Sequence, residues 1–328
     1  MSSLLSVDDL SVQLAPAAGR SGESGSIVES VSLRIDRGEA LGLVGESGCG
    51  KSTLLLAVLD LLGPEMLRTS GEVLFDGRNL TLMAEAARRR LLGNDIGVVF
   101  QEPTRALNPV FKVGEQVAEV LRCHKGLDKR AAWSRAVELL EEVGIEQPAL
   151  RARDYPHQLS GGMNQRVVIA MAIACSPALL VVDEPTTALD VTVQEEILAL
   201  FRRLREERGM ALLFVSHDLA LVEQEVDRVA VMYAGSLVES APTPVLFASP
   251  RHPYTRGLLD CQPKFAAPLT RLPEIGGVVP ASDARPLGCS FHPRCRAAES
   301  RCSAELPVLT TDEAERTVAC FYPLGGSQ

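Results

Sequence analysis

The sequence predicts an α/β protein with a parallel sheet at its centre and helices on both faces of that sheet. Three observations lead to this prediction. Short apolar runs alternate with longer amphipathic stretches over much of the chain. A glycine-rich loop follows one of these runs, and two acidic residues end another. Alternation of strand and helix is the pattern of a sheet whose strands run parallel.

The bulk composition restricts the class of protein. The chain has 328 residues, of which 46% are hydrophobic and 23% charged, as in folded soluble proteins. Its net charge of −9 argues against binding nucleic acid through a basic surface. No apolar run approaches the roughly 18 residues of a membrane span, and the acidic start is unlike a signal peptide. We therefore expect a cytosolic chain whose eight cysteines are thiols or metal ligands.

A phosphate-binding loop lies between the apolar run 41–44 and a predicted helix that begins near Gly50. The loop has the pattern G-x-x-x-x-G-K-[ST] in the strand–loop–helix context that the motif requires. Lys51 is expected to reach the β- and γ-phosphates, and the Ser52 hydroxyl to hold Mg²⁺. The predicted nucleotide contacts are Gly45, Glu46, Ser47, Gly48, Cys49, Gly50, Lys51, Ser52 and Thr53. The motif predicts a P-loop NTPase with a RecA-like parallel sheet.

The other elements follow from hydrophobic periodicity. Alternating residues predict an antiparallel β region over 3–14 and 26–44, and residues 113–143 predict a small helical insert. Further strands are predicted at 73–75, 96–100, 178–182 and 211–215, and further helices at 161–175, 192–207 and 218–226. After about residue 235 prolines and cysteines cluster, which indicates a loop-rich C-terminal extension.

Acidic and polar residues at strand ends complete the predicted catalytic site. Asp183 and Glu184 end a buried strand, which we expect to lie beside the phosphate-loop strand. Asp183 is then placed to hold Mg²⁺, and Glu184 to act as general base toward water. Gln101 follows another strand and can reach the metal or the water, and His217 can contact the γ-phosphate and orient Glu184.

A second glycine-containing helix start lies at residues 159–165, the signature segment. Ser160 is a suitable N-cap, and Gly161 and Gly162 leave the first turn bare. Free N–H groups at a helix N-terminus bind phosphate. Since one nucleotide needs only one phosphate loop in its own chain, we expect this segment to serve a nucleotide bound to a partner chain.

Over about residues 5–245 these motifs, in this order, resemble the ATP-binding subunit of an ABC transporter. The matching features are Walker A (45–53), the Q-loop Gln101, the signature segment with Gln165, Walker B (179–184), the D-loop Ala188-Leu189-Asp190 and the switch His217. The resemblance implies two such domains enclosing two ATP molecules, with Ser160, Gly161, Gly162 and Gln165 contacting the partner's nucleotide. It also implies that the helical insert (about 102–165) docks on membrane subunits.

Residues 250–255 and 288–295 resemble the C-terminal region of the dipeptide/oligopeptide importer branch, which has nickel-importing relatives. We therefore expect an ATPase domain over 1–245 and an extension over 246–328. The implied function is ATP-driven peptide uptake, with a second ATPase, two permeases and an extracytoplasmic solute-binding protein as partners, at the cytoplasmic face of the membrane. Import of nickel or another small solute, a soluble ABC ATPase acting on DNA or ribosomes, and a non-hydrolysing regulatory subunit are the alternatives.

One departure from the family pattern concerns adenine. The family stacks an aromatic ring on the base from a loop near the N-terminus, but no aromatic residue precedes Phe75, and Leu14 stands at about that place. The sequence leaves open what stacks on the base.

The extension carries four cysteines at intervals C-x5-C-x6-C-x17-C, namely Cys289, Cys295, Cys302 and Cys320. Four thiolates can hold zinc or a [4Fe–4S] cluster. The close pairs typical of zinc sites are missing, and the resemblance also favours iron–sulfur, so a structural [4Fe–4S] cluster is the prediction, with zinc or no metal as alternatives.

Overall fold

The computed structural model describes residues 3–15, 25–185, 190–262, 273–312 and 316–325, apart from the side chain of residue 104. In these ranges the strands and helices follow the predicted order. Residues 16–24, between the two predicted β segments, and two of the three D-loop residues, Ala188 and Leu189, lie outside the described residues.

A mixed sheet of eight strands forms the centre of the described part of the chain. Its strands are β3 (Ala40–Val44), β6 (Ile96–Val99), β7 (Leu179–Asp183), β8 (Ala211–Ser216), β9 (Arg228–Tyr233), β10 (Ser236–Pro242), β11 (Thr310–Thr311) and β12 (Thr317–Val318). The strand order is β11-β12-β10-β9-β3-β8-β7-β6. The strands from β9 to β6 pair in parallel, whereas β10, β12 and β11 add antiparallel pairs.

The prediction that β7 lies beside β3 is wrong. The strand β8 lies between them and pairs in parallel with both. Because parallel strands end at the same edge of a sheet, the residues after β3, β7 and β8 still meet there. Neighbouring strands are only about 4.8 Å apart, so one intervening strand leaves them within reach of one ligand.

A second, antiparallel sheet contains β1 (Ser3–Leu14), β2 (Ser26–Asp36), β4 (Met66–Phe75) and β5 (Arg78–Asn79) in the order β2-β1-β4-β5. Its apolar face packs with the helix α1 (Lys51–Val58) on one face of the main sheet. Alternation along the central strand β7 separates the two cores: Leu179 and Val181 face this side, and Leu180 and Val182 face the helical side. The sheet is therefore buried on both faces, as its nearly continuous apolar strands predict.

The remaining helices cover the other face or lie at the edges. They are α2 (Glu85–Leu91), α3 (Pro103–Ala106), α4 (Val113–Lys125), α5 (Lys129–Glu142), α6 (Pro148–Arg151), α7 (Gly161–Ile173), α8 (Val191–Arg208), α9 (Leu219–Glu225), α10 (Thr243–Ala248), α11 (Pro253–Asp260) and α12 (Ser300–Ala304). The pair α4 and α5 forms the predicted helical insert and packs on α7. Among the described helices, none combines the length and the apolar character that crossing a bilayer requires.

The C-terminal extension packs directly on the ATP-binding part of the fold. Its strand β12 pairs with β10 and so extends the main sheet. Tyr254 and Phe291 are buried in the same core as α7 and β7. Both rings form edge contacts with Tyr233 at the end of β9, at centroid distances of 4.7 and 5.2 Å. The extension thus obtains its apolar core from the central sheet.

Candidate active site

The phosphate loop joins β3 to α1 at the carboxyl edge of the sheet, as predicted. Gly48 (φ +80°) and Gly50 (φ +104°) adopt the left-handed conformation that glycine tolerates best. A side chain at Gly45 would lie 2.2 Å from the carbonyl oxygen of Met232. The glycines are required because the loop curls tightly and packs against the end of β9.

Lys51 turns its ammonium group back over this loop. Its Nζ donates to the carbonyl oxygens of Gly45 (2.7 Å) and Glu46 (3.1 Å), and the side chain is buried. A charge held at the mouth of the loop is placed to bind an anion there. Ser52, one residue on, is exposed and donates a hydrogen bond to the Asp183 carboxylate.

Asp183 is buried at the end of β7, and its Oδ1 atom has no hydrogen-bond partner. Burial raises the pKa of this carboxyl; Glu184 raises it further, whereas the Ser52 hydrogen bond and the Lys51 charge lower it. An unsatisfied carboxylate oxygen beside a hydroxyl is a donor set that suits Mg²⁺. Ser52 and Asp183 therefore fit the metal of a bound Mg–nucleotide, whose charge would stabilise the buried carboxylate.

The three residues predicted to be catalytic lie together, although they follow three different strands. Gln101 Nε2 donates to Glu184 Oε2 at 2.9 Å, and His217 Nδ1 lies 3.0 Å from Glu184 Oε1. Glu184 has a positive φ of 43°, a conformation that costs a non-glycine residue free energy and often occurs at functional sites. Both oxygens of this carboxylate are thus oriented, which is what a general base requires. Gln101 binds Glu184 through its amide nitrogen, which leaves its carbonyl oxygen for the predicted metal contact.

The signature segment lies at the start of α7. The Ser160 hydroxyl accepts a hydrogen bond from the Met163 N–H at 3.3 Å and caps the helix as predicted. Ser160 and Gly161 are exposed, and a Cβ at Gly162 would lie 2.7 Å from Val193 of α8. Glycine at that position therefore allows α7 and α8 to pack closely.

Gln165 differs from the other predicted signature contacts. Its side chain is 0% exposed, and neither amide atom has a hydrogen-bond partner. The position is buried because it lies more than one turn into α7, where the helix is covered on almost all sides. The expectation that Gln165 contacts a partner's nucleotide is not supported by this position.

The four cysteines of the extension line one cavity of about 20 Å³, together with His252 and Phe291. Burial is the main cause that raises the pKa of Cys289 and Cys295, and it raises the pKa of Cys320 to about 11. Among the described residues, no group of three or more His, Cys, Asp or Glu side chains is arranged to hold a metal ion. The four thiols therefore line one cavity, but the described residues do not form a ready set of ligands for a metal ion.

Sequence reasoning missed two residues of the extension that touch the phosphate loop. Arg294 forms a two-pronged ion pair with Glu46, and the Tyr254 hydroxyl accepts a hydrogen bond from the Glu46 N–H at 2.9 Å. These residues are separated from Glu46 by more than two hundred positions, and nothing in their local sequence signals the contact. Only the fold brings them together.

Comparisons with known proteins agree with this geometry. A family model described as ABC transporter matches residues 28–187, and one described as oligopeptide/dipeptide transporter, C-terminal region, matches residues 238–302. The dipeptide transport ATP-binding protein DppD of Escherichia coli K12 is 45% identical over 98% of this chain and 97% of its own length. DppD of Haemophilus influenzae is 44% identical over 98% of this chain and 96% of its own length.

Solved structures are similar as well. The dimeric, post-hydrolysis structure of the ATP-binding cassette MJ0796 bound to ADP and Pi has a TM-score of 0.64 and 28% identity, and covers 73% of this chain and 98% of that one. CbiO1 of Clostridium perfringens, part of the transporter complex cbiONQ, has a TM-score of 0.63 and 27% identity, and covers 76% of this chain and 92% of that one.

The fold and the site define an ABC-type ATPase. The chain belongs to the ABC transporter family and carries the C-terminal region of its oligopeptide/dipeptide branch.

Proposed function

We propose that this protein is the ATP-hydrolysing subunit of an ABC importer that drives uptake of di- or oligopeptides through separate membrane permeases. The observation that carries the proposal is the end-to-end similarity to dipeptide transport ATP-binding proteins, which includes the C-terminal extension. The cargo does not touch an ATPase subunit, so the peptide assignment depends on this similarity. The ATPase chemistry has independent support from the geometry at the carboxyl edge of the sheet.

In the proposed hydrolysis step Glu184 accepts a proton from a water molecule as that water attacks the γ-phosphorus. A new oxygen–phosphorus bond forms while the bond between the γ-phosphorus and the β–γ bridging oxygen breaks, which yields ADP and phosphate. Gln101 and His217 orient the Glu184 carboxylate, and Lys51 neutralises phosphate charge. Ser52 and Asp183 would hold Mg²⁺, which when bound neutralises charge on the β- and γ-phosphates.

The active unit is proposed to be a dimer of two ATPase subunits, either two copies of this chain or this chain and a related one. Exposure of Ser160 and Gly161 supports this arrangement, because their helix N-terminus can then bind the partner's nucleotide. The helical insert (about 102–165) would dock on two permeases, and an extracytoplasmic solute-binding protein would deliver the peptide. The chain would thus act at the cytoplasmic face of the membrane, with its ATPase domain at 1–245 and its extension at 246–328.

We further propose that Cys289, Cys295, Cys302 and Cys320 hold a structural [4Fe–4S] cluster. Their convergence on one largely apolar cavity supports the proposal, and a cluster spaces its four thiolates more widely than a single metal ion does. Protein purified under anaerobic conditions is expected to contain iron and acid-labile sulfide, and Cys302→Ser to lose both. Colourless, iron-free protein from such a preparation would refute the cluster, and stoichiometric zinc would identify the alternative.

The importer assignment is tested by isolating the tagged chain from its native membrane in mild detergent and identifying bound proteins by mass spectrometry. Two multi-span permeases and a second ATPase are expected, and a solute-binding protein found with them would supply the peptide-binding assay. Binding of nickel rather than peptides by that protein would change the cargo but not the mechanism. Recovery of ribosomal or DNA-repair proteins without permeases would overturn the transport assignment.

A further inference from the structure

The phosphate loop contains an acid at its second position. Glu46 follows Gly45 directly, and its side chain is 30% exposed. Its backbone carbonyl accepts from Lys51 Nζ, so the residue belongs to the inner surface of the loop. A carboxylate on this loop would repel a triphosphate bound there, because like charges repel each other.

Arg294 of the extension neutralises this acid. Its Nη1 donates to Glu46 Oε2 at 2.7 Å, and its Nη2 to Glu46 Oε1 at 2.9 Å. This two-pronged geometry is the strongest form of an arginine–carboxylate pair. The Arg294 side chain is only 5% exposed, so solvent screens the pair weakly.

The guanidinium is held in place by groups other than Glu46. Its Nε donates to the Gly276 carbonyl oxygen at 2.8 Å, and Nη2 to the Ile275 carbonyl oxygen at 3.1 Å. It also lies over the Tyr233 ring, 5.7 Å from the centroid. The extension therefore fixes Arg294 independently, and Arg294 in turn fixes Glu46.

A second contact holds the backbone of the same residue. The Tyr254 hydroxyl accepts from the Glu46 N–H at 2.9 Å, and Tyr254 is itself fully buried in the first turn of α11. Residues 273–275 of the extension also line an open cavity of about 630 Å³ together with Glu46 and His217. Side chain and backbone of Glu46 are thus both held from the extension, beside the site of hydrolysis.

Arg294 also lies next to the thiol cavity. It ends a single turn of 3-10 helix at His292–Arg294, and Cys295 follows immediately. The Cys295 N–H donates to the His292 carbonyl oxygen at 3.2 Å and closes this turn. The position of Arg294 is therefore set by the same short segment that carries one of the four cysteines.

We propose that Arg294 is a positioning residue of the nucleotide site: it neutralises Glu46 and holds it against the extension, so that the phosphate loop accepts a triphosphate. The extension thereby sets the affinity of the loop for ATP. This inference rests on the proposed function in one respect, since it takes the ligand of the loop to be Mg–ATP. A purely structural link between extension and loop is the alternative.

The test compares Arg294→Gln, Glu46→Gln and the double variant in the full chain, with Mg–ATP binding measured by titration calorimetry and turnover by phosphate release. Arg294→Gln leaves Glu46 charged and unpaired, so the Kd and KM for ATP are expected to rise about tenfold or more while kcat changes less than twofold. Glu46→Gln removes the repulsive charge and gives the reference Kd against which the double variant is compared. The double variant is expected to recover most of the lost affinity.

Arg301→Gln is the matched control, because Arg301 forms an exposed ion pair with Glu305 in the same extension at 2.9 Å. It should leave Kd unchanged. The defect of Arg294→Gln should also shrink between about 50 mM and 500 mM salt, since screening weakens repulsion between charges. Should Arg294→Gln fail to fold, Arg294→Met with and without Glu46→Gln gives the same comparison, because methionine also removes the charge and its flexible side chain fills the space of the arginine stem.

A double variant that binds ATP as weakly as Arg294→Gln, or an Arg294→Gln protein with normal Kd and only a lower melting temperature, would overturn the positioning role. In both cases normal Mg–ATP binding by the unsubstituted chain leaves the proposed function intact. If the unsubstituted chain itself fails to bind Mg–ATP, the proposed nucleotide site is wrong and this inference falls with it.

Discussion

The phosphate loop (residues 45–53) and the signature segment (residues 159–165) are both glycine-containing helix starts, yet they are built differently. The phosphate loop contains the buried Lys51 and the hydroxyl of Ser52, and it lies beside Asp183. Arg294 of the extension binds its Glu46. Ser160 and Gly161 of the signature segment are exposed, and the segment contains no lysine or arginine. Helix N-termini attract phosphate in both places. The difference fits the proposal that the phosphate loop binds the nucleotide of its own chain and that the signature segment completes the nucleotide site of a partner chain.

The largest expected effect is on ATP turnover and concerns Glu184. This residue lies beside the phosphate loop and not beside the signature segment. Glu184→Gln keeps the shape but removes the base, and general base catalysis contributes about 10²- to 10⁴-fold. We expect kcat for ATP to fall by about that factor while the Kd for ATP stays near wild type. Phosphate release and titration calorimetry measure the two quantities.

The exposed Glu195 on α8 provides the control for this substitution, and Glu195→Gln should have wild-type turnover. Retained ATP binding with near wild-type turnover in Glu184→Gln would refute the assignment of the base.

The next largest effect concerns the contribution of Lys51 to the binding of Mg–ATP by the phosphate loop. Lys51→Met removes a charged donor, and a hydrogen bond with a charged partner contributes about 1.5–3 kcal/mol. We therefore expect the Kd for Mg–ATP to rise about 10- to 100-fold. Lys125→Met, at the exposed end of α4, should leave Kd unchanged. Equal losses in the two variants would mean that the ammonium group does not bind the nucleotide.

Ser160 tests the signature segment as half of a site. Aspartate and asparagine both cap helices well, so Ser160→Asp and Ser160→Asn should fold alike. The added carboxylate repels phosphate by an energy on the order of 1–3 kcal/mol. We expect Ser160→Asp to lower turnover about tenfold or more relative to Ser160→Asn, with no change in the Kd of the single chain. A rise in that Kd instead would place the segment at the chain's own nucleotide.

The smallest expected effect is on the pH dependence of stability. It concerns the extension, which contacts the phosphate loop. Burial lowers the pKa of His252 from 6.5 to about 4. Because the unfolded chain then binds a proton that the folded chain does not, stability is complete above pH 6.5 and falls as the pH drops toward 4. His252→Asn keeps an acceptor for the Tyr254 N–H that His252 Nδ1 now caps, but it does not titrate.

Urea unfolding at pH 7 and pH 5 measures this contribution. The wild type is expected to lose up to about 2 kcal/mol more stability than His252→Asn over this interval. Equal losses would show that His252 does not become charged on unfolding in this range.

The candidate site could be predicted from the sequence because each of its motifs lies within a short segment of the chain. The phosphate loop, the acids after β7 and the histidine after β8 each depend on a strand followed directly by a polar turn, and such patterns are visible in a short window of sequence. The position of β8 between β3 and β7 was not visible, because strand order depends on pairing between segments far apart in the chain. The burial of Gln165 was not visible either, because a motif does not state which side of its helix packs in the core.

The sequence by itself determined the P-loop fold and the family, and it predicted Lys51, Asp183, Glu184 and His217 as residues of the nucleotide site, because each lies within a local pattern. The tertiary structure alone decided two things: the burial of Gln165, and the contact of Arg294 and Tyr254 with Glu46. The first depends on how α7 packs within the fold. The second depends on how the extension packs on the end of β9, and contacts across more than two hundred residues leave no trace in a local window.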